Sequence, residues 1–213
     1  QVQGIHGDTK TEWVGASFQR LAAPTALQAH TESSIIAPDC GVMLSWTAVP
    51  EAHSYVLSST HAGITWVADR NIEPPQPQQA PPTQCAITFE AAAPAGDFGF
   101  SLVTQGSNTT VASPASDVLT LVRLGQPLNL QASSAGSSAT LRWRAVANAT
   151  RYQAVIHSAD SPLQVTELQA SAQDDELVAK LTLTGIAGSP RLYQLLVQAI
   201  PAVGQDDVVP GVP

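Results

Sequence analysis

Apolar side chains recur at every second position in short runs along much of the chain. Val42, Leu44 and Trp46 fall on alternate positions, with Met43 and Ser45 between them, and Ala139, Leu141 and Trp143 repeat the arrangement around Thr140 and Arg142. A period of two is the signature of a strand with one buried face, because successive side chains leave opposite sides of the pleat. The same reading predicts strands over residues 53–60, 64–68, 84–90, 98–105 and 117–122. Later in the chain it predicts them over residues 151–158, 163–169, 177–184 and 192–200. The fold class expected is all-β.

Two phrases occur twice, in the same order. Trp46, Ala48, Val49, Ala52 and Tyr55 are matched by Trp143, Ala145, Val146, Ala149 and Tyr152, and both sets read W-x-A-V-x-x-A-x-x-Y. Upstream, Pro24, Leu27, Gln28 and Ala29 are matched by Pro127, Leu130, Gln131 and Ala132. Self-similarity at this scale marks repeated structural units. A turn at Pro50-Glu51, and at Ala147-Asn148 in the second copy, connects the Trp strand to the Tyr strand. The chain therefore divides into a segment 1–22, a unit 23–124 and a unit 125–213, each unit long enough to bury its own core. The joint, Arg123-Leu124-Gly125-Gln126, is too short for a flexible spacer and predicts limited bending. Residues 1–22 match neither copy; 11–20 read as an extra strand or as the tail of a preceding domain.

These phrases resemble fibronectin type III domains, whose pattern has Pro-x-x-Leu, a Trp on the second strand and a Tyr on the third. The resemblance covers roughly residues 23–210. It implies two Greek-key β-sandwiches in tandem, with a tyrosine corner before the penultimate strand of each. The nearest equivalents of that corner end in Phe98 and Tyr193. Phe98 has no hydroxyl, so the first copy departs from the pattern. The last strand of the second copy is short of ladder positions, because Asp206-Asp207-Val208-Val209 runs into Pro210.

Charge changes the picture of partners. The net charge is −8, and it is uneven: units 23–124 and 125–213 carry eight acids against two bases and seven against five, or −6 and −2. Such a balance disfavours nucleic acid and anionic lipid, which recruit clustered Lys and Arg. No apolar run approaches the roughly 20 residues of a membrane span, so no direct membrane insertion is expected. The chain starts Gln1-Val2-Gln3-Gly4, without an initiator Met or a signal-peptide core, and reads as a processed product or an excised segment. Cys40 and Cys85 have neither framework nor CxxC spacing. They are expected at opposite ends of adjacent antiparallel strands, unpaired.

Candidate chemistry is sparse. Trp46, Trp143, Tyr55 and Tyr152 are assigned to the cores. His6, His30, His53, His61 and His157 lack metal-ligand spacing, and no nucleophile elbow occurs, so neither metal, cofactor nor catalytic residues are expected. The sequons at Asn108 and Asn148 are read as chance occurrences. The unusual stretch is residues 71–82, rich in Pro and Gln, which predicts a stiff connection outside the strand ladder. It reads as a shield for a sheet edge or as a docking strip. Together with Trp66, which either packs under a loop or anchors a partner, it gives the candidate binding residues Trp66, Pro74, Pro75 and Pro77. The second copy has no such strip, so recognition is expected on the first.

The resemblance implies a non-catalytic spacer or adhesion segment of a larger extracellular, cell-surface or virion protein, such as a phage tail-tip or fibre component. Its partners would be a protein, a cell surface or other domains of the parent assembly. The rival reading is an accessory linker or binding module of a secreted polysaccharide-degrading enzyme, and a stand-alone enzyme is a third. The parent sequence would separate the first two.

Overall fold

The computed structural model describes residues 5–6, 9–10, 17–31, 40–59, 70–74, 79–89, 93–107, 109–158, 161–183 and 192–211; these are strands, turns and connections, with no helix among them. Two short strands come first, β1 (Ile5–His6) and β2 (Thr9–Lys10), paired antiparallel. β3 (Gln19–Arg20) follows.

Eight strands belong to the first half: β4 (Gln28–Thr31), β5 (Cys40–Ser45), β6 (Ser54–Ser59), β7 (Arg70–Ile72), β8 (Gln84–Phe89), β9 (Gly96–Gln105), β10 (Thr110–Val111) and β11 (Leu119–Arg123). One sheet has the order β4-β5-β8, and the facing sheet contains β11-β9-β6-β7. The chain changes sheet after β5, after β7 and after β8, which is Greek-key wiring. Alternation explains the core: Cys85, Ile87 and Phe89 of β8 are buried while the residues between them are exposed. Val42, Leu44 and Trp46 meet them with Tyr55, Leu57, Phe98 and Phe100 from the opposite sheet. Phe89 packs edge-on against Phe98 and Phe100, with centroids 5.1 and 6.4 Å away, a favourable geometry for aromatic quadrupoles.

The second half repeats the plan with β12 (Leu128–Ala135), β13 (Ser138–Arg144), β14 (Arg151–Ser158), β15 (Ser161–Leu168), β16 (Ser171–Gln173), β17 (Glu176–Thr182) and β18 (Tyr193–Ile200). Its sheets are β12-β13-β17-β16 and β15-β14-β18. Leu141, Trp143, Tyr152, Ala154, Ile156, Leu181 and Val197 form its core. The architecture is thus all-β, two sandwiches in succession with Greek-key wiring.

Most expected strands lie within a residue or two of observed ones. The 64–68 strand falls outside the described residues. The expectation for 71–82 needs correction at its start, because Asn71 and Ile72 pair with Val56 and Tyr55 in β7. Both precede the first Pro and keep the N–H groups a ladder needs. Of segment 1–22, β3 runs parallel to β10, and Leu21 donates to the Val111 carbonyl at 3.0 Å and is buried. This much of it forms a two-stranded pair with β10, apart from the two sheets of the first sandwich. Cys85 stands opposite Leu44, and Cys40 opposite Phe89. Four ladder positions, roughly 13 Å at 3.3 Å per residue, separate their backbones along the strands.

Candidate functional site

The repeated phrases specify two local devices. The first joins the Trp strand to the Tyr strand. Val49 N–H donates to the Tyr55 hydroxyl at 2.9 Å, and Val146 N–H to the Tyr152 hydroxyl at 2.8 Å. Ala52 N–H and Ala149 N–H close the turns on the Val49 and Val146 carbonyls, both at 3.2 Å. Glu51 and Asn148 take φ of 62° and 63°, a conformation that Asn tolerates better than most L-residues. Each Tyr ring lies 5.3 Å from its Trp. The phrase thus encodes a hydroxyl clasp on the turn above each core. The second device is a bulge. Ala26 and Asn129 have φ of 53° and 57°. Thr47 N–H donates to the Thr25 carbonyl, and Gln28 then stands opposite Ser45. In the second copy Leu128 stands opposite Arg144 and Gln131 opposite Arg142. Each bulge inserts its extra residue at the same place.

The joint brings the copies together. β19 (Val208–Val209), the last strand, does not form a ladder with β18; it lies parallel to β11, with Val208 beside Val122 and Val209 beside Arg123. Val122 N–H donates to the Asp207 carbonyl at 2.8 Å, and Leu124 N–H to the Val209 carbonyl at 3.0 Å. Alternation then sends neighbouring side chains to different cores. Leu121 and Val209 enter the first, whereas Leu124 and Val208 enter the second. Beyond β19, Gly211 N–H donates to the Ala199 carbonyl at 3.0 Å. The buried Gln198 amide donates to the Gly211 carbonyl and accepts from Gln153, both at 2.7 Å. A Cβ on Gly211 would stand 2.2 Å from the Gly125 carbonyl oxygen. Only glycine permits that approach of tail to joint.

Arg123, 2% exposed, is placed here by its position in β11. Its guanidinium donates to the Ala93 carbonyl and stacks 5.8 Å from the centre of the Phe89 ring. Sequence patterning had counted it only as joint and charge. Beside it opens a cleft of about 390 Å³ between Ala95–Asp97 of the first sandwich and the clasped turn Ala145–Asn148 of the second, floored by Gly125 and Leu128. On another side, His30 Nδ1 lies 3.9 Å from Asp206, both exposed. Arg151 and Glu167 form a two-pronged ion pair at 2.8 Å across β14 and β15. The hydrogen bonds from Arg151 hold the Glu167 carboxyl below its usual range.

Of the sequence-predicted binding residues, Trp66, Pro75 and Pro77 lie outside the described residues. Pro74 is half-buried, two residues beyond the end of the edge strand β7. Among the described residues no group of His, Cys, Asp and Glu is arranged to hold a metal ion.

No family model matches the chain. Among solved structures, the crystal structure of the chicken CNTN1 FN1–FN3 domains is similar at 14% identity and a TM-score of 0.35. That match covers 92% of this chain and 67% of the other.

Proposed function

We propose that this chain is a non-catalytic spacing and adhesion module that holds two sandwiches in a fixed relation and presents contact surfaces to other proteins. The observation that supports this is the shared strand pair at the joint, where β11 and β19 each contribute to both cores. Val208, Val209, Leu121 and Leu124 are all buried. At about 1.5–3 kcal/mol for each fully buried apolar side chain, bending the joint would forfeit far more than thermal energy supplies. Interfaces between domains in one chain commonly permit relative motion unless they are extensive and apolar. This joint is continuous with the two cores. The joint cleft mixes Ala and Val with Asp97, Arg123, Gln126, Arg144 and Asn148, a lining that suits contact with another protein.

The division at residues 124 and 125 belongs to the proposal, with one qualification from the geometry: residues 207–211 serve both units. The contact residues proposed for the first sandwich remain Trp66, Pro74, Pro75 and Pro77, of which Pro74 is described, two residues beyond the end of β7. A larger extracellular, cell-surface or virion protein is the proposed setting, supported by the sequence resemblance alone. Nitrogen-15 relaxation tests the spacing role. One rotational correlation time for amides of both sandwiches is expected, and two independent tumbling times would refute it. Replacing Trp66 by Ala, or the three prolines by Ser, should reduce association with the parent assembly at unchanged melting temperature. Loss of stability alone would make the segment structural.

A further inference from the structure

Each sandwich has an edge at its first strand, and among the described residues that of the second is the longer and the more exposed. All eight residues of β12 are exposed, Leu128 by 58% and Leu130 by 37%. β12 pairs with β13 on one side and, among the described residues, with nothing on the other. It contains neither Pro nor a charged residue, two of the features by which edge strands repel an added strand; its bulge, a third, is confined to Leu128–Gln131, which leaves Ala132–Ala135 as regular edge. The nearest charges on its outer face are basic. Arg144 stands opposite Leu128 and Arg142 opposite Gln131 on the adjoining strand, and Lys180 stands opposite Thr140 one strand further. These are three of the nine Lys and Arg residues of a chain of net charge −8. Two carboxylates lie near them: Glu176, opposite Arg144 and across β13 from β12, and Asp97, which lines the joint cleft with Leu128 and Arg144. No described carboxylate forms an ion pair with any of the three cations. The joint cleft, which Leu128 and Arg144 help to line, begins where β12 begins.

We infer that β12 is a docking edge for an extended acidic segment of a partner protein, which adds as a further strand of the sheet. Backbone N–H and C=O groups of β12 would supply the ladder, as in other strand additions. A new strand lies about 4.8 Å from β12 and about 10 Å from β13. Arg144 and Arg142 would cover part of that span past Leu128 and Gln131, and acidic side chains at alternate outer positions of the added strand would cover the rest. An apolar residue at one end would enter the cleft beside Leu128. This site is separate from the contact residues on the first sandwich and stands or falls without them.

The probe is a capped octapeptide in which valine or threonine alternates with glutamate, together with a counterpart carrying lysine for glutamate. With the full chain, the glutamate peptide should bind saturably and slow amide exchange at alternate residues of β12. The lysine peptide, and the Arg142→Glu/Arg144→Glu variant with the glutamate peptide, should bind several-fold to about tenfold more weakly, the span expected for one or two exposed ion pairs. Neighbouring residues of a strand point their N–H groups to opposite sides. One of Ser133→Pro and Ser134→Pro should therefore keep the melting temperature and lose the peptide. Should both unfold, the exchange pattern of the unaltered chain still decides. Three results would overturn the inference: no β12 protection, equal binding of both peptides, or sedimentation of the free chain as a dimer with β12 already protected.

Discussion

β4 and β12 occupy the same place in their sandwiches and begin with the same phrase, bulge and register, yet they have different roles. Ala29 of β4 is buried, and Leu27 just before it packs against the first core; no residue of β12 belongs to the second core. The second sandwich closes its first connection with a two-residue turn at Gly136-Ser137, where Gly136 has φ of 62°. β12 consequently runs the full length of β13 as an uncovered edge. A repeated phrase thus fixes backbone geometry, whereas turn length and neighbouring structure decide what that geometry buries.

The comparison breaks most severely at the joint, where the copies cease to be separate. Val208→Ser with Val209→Ser removes one buried apolar group from each core, and the loss should reach roughly 3–6 kcal/mol in all. Calorimetry should show both sandwiches destabilised; loss from only one would mean that the tail serves a single core. Next come the clasps. Tyr55→Phe and Tyr152→Phe each leave a Val N–H without its acceptor, for a predicted cost of about 1–3 kcal/mol by denaturant titration. Similar costs would show that the repeat is energetic as well as geometric, and a cost in one copy alone would limit it to shape.

Leu27→Ala and Leu130→Ala sharpen the contrast between the first strands. The partly buried Leu27 should cost about 1–2 kcal/mol, and the exposed Leu130 should stay within about 0.5 kcal/mol. Equal costs would erase the distinction. The smallest effect is electrostatic. Because Arg151 lowers the folded-state pKa of Glu167, the pair's stabilisation is present above the carboxyl's unfolded value. It is lost as pH falls through the lowered folded value. Glu167→Gln should flatten that acid-side decline slightly in melting curves and leave neutral stability nearly unchanged.

The sheets were legible because alternation at Val42-Leu44-Trp46 and Ala139-Leu141-Trp143 reports one-sided burial directly. β7 was not, since three residues before a proline carry too little periodicity. β19 was read as weak for want of ladder positions, which is true of its length. Its partner, however, is β11 of the other copy, a choice that no local pattern encodes. The clasp was half legible. Tyr55 and Tyr152 were correctly placed with the cores, but their hydroxyl partners depend on how Val49 and Val146 turn. The β12 edge was hidden because its phrase matches a buried counterpart, and proline content pointed recognition to the first copy instead.

Hydrogen exchange at the Val122 and Leu124 amides tests the shared joint most directly, since these two groups donate across it to Asp207 and Val209. In the full chain they should exchange as slowly as the amides of the β9–β11 ladder, and truncation after residue 206 should release both. Rapid exchange at Val122 and Leu124 in the intact chain would contradict the account, because it would make the joint an ordinary linker between two independent sandwiches.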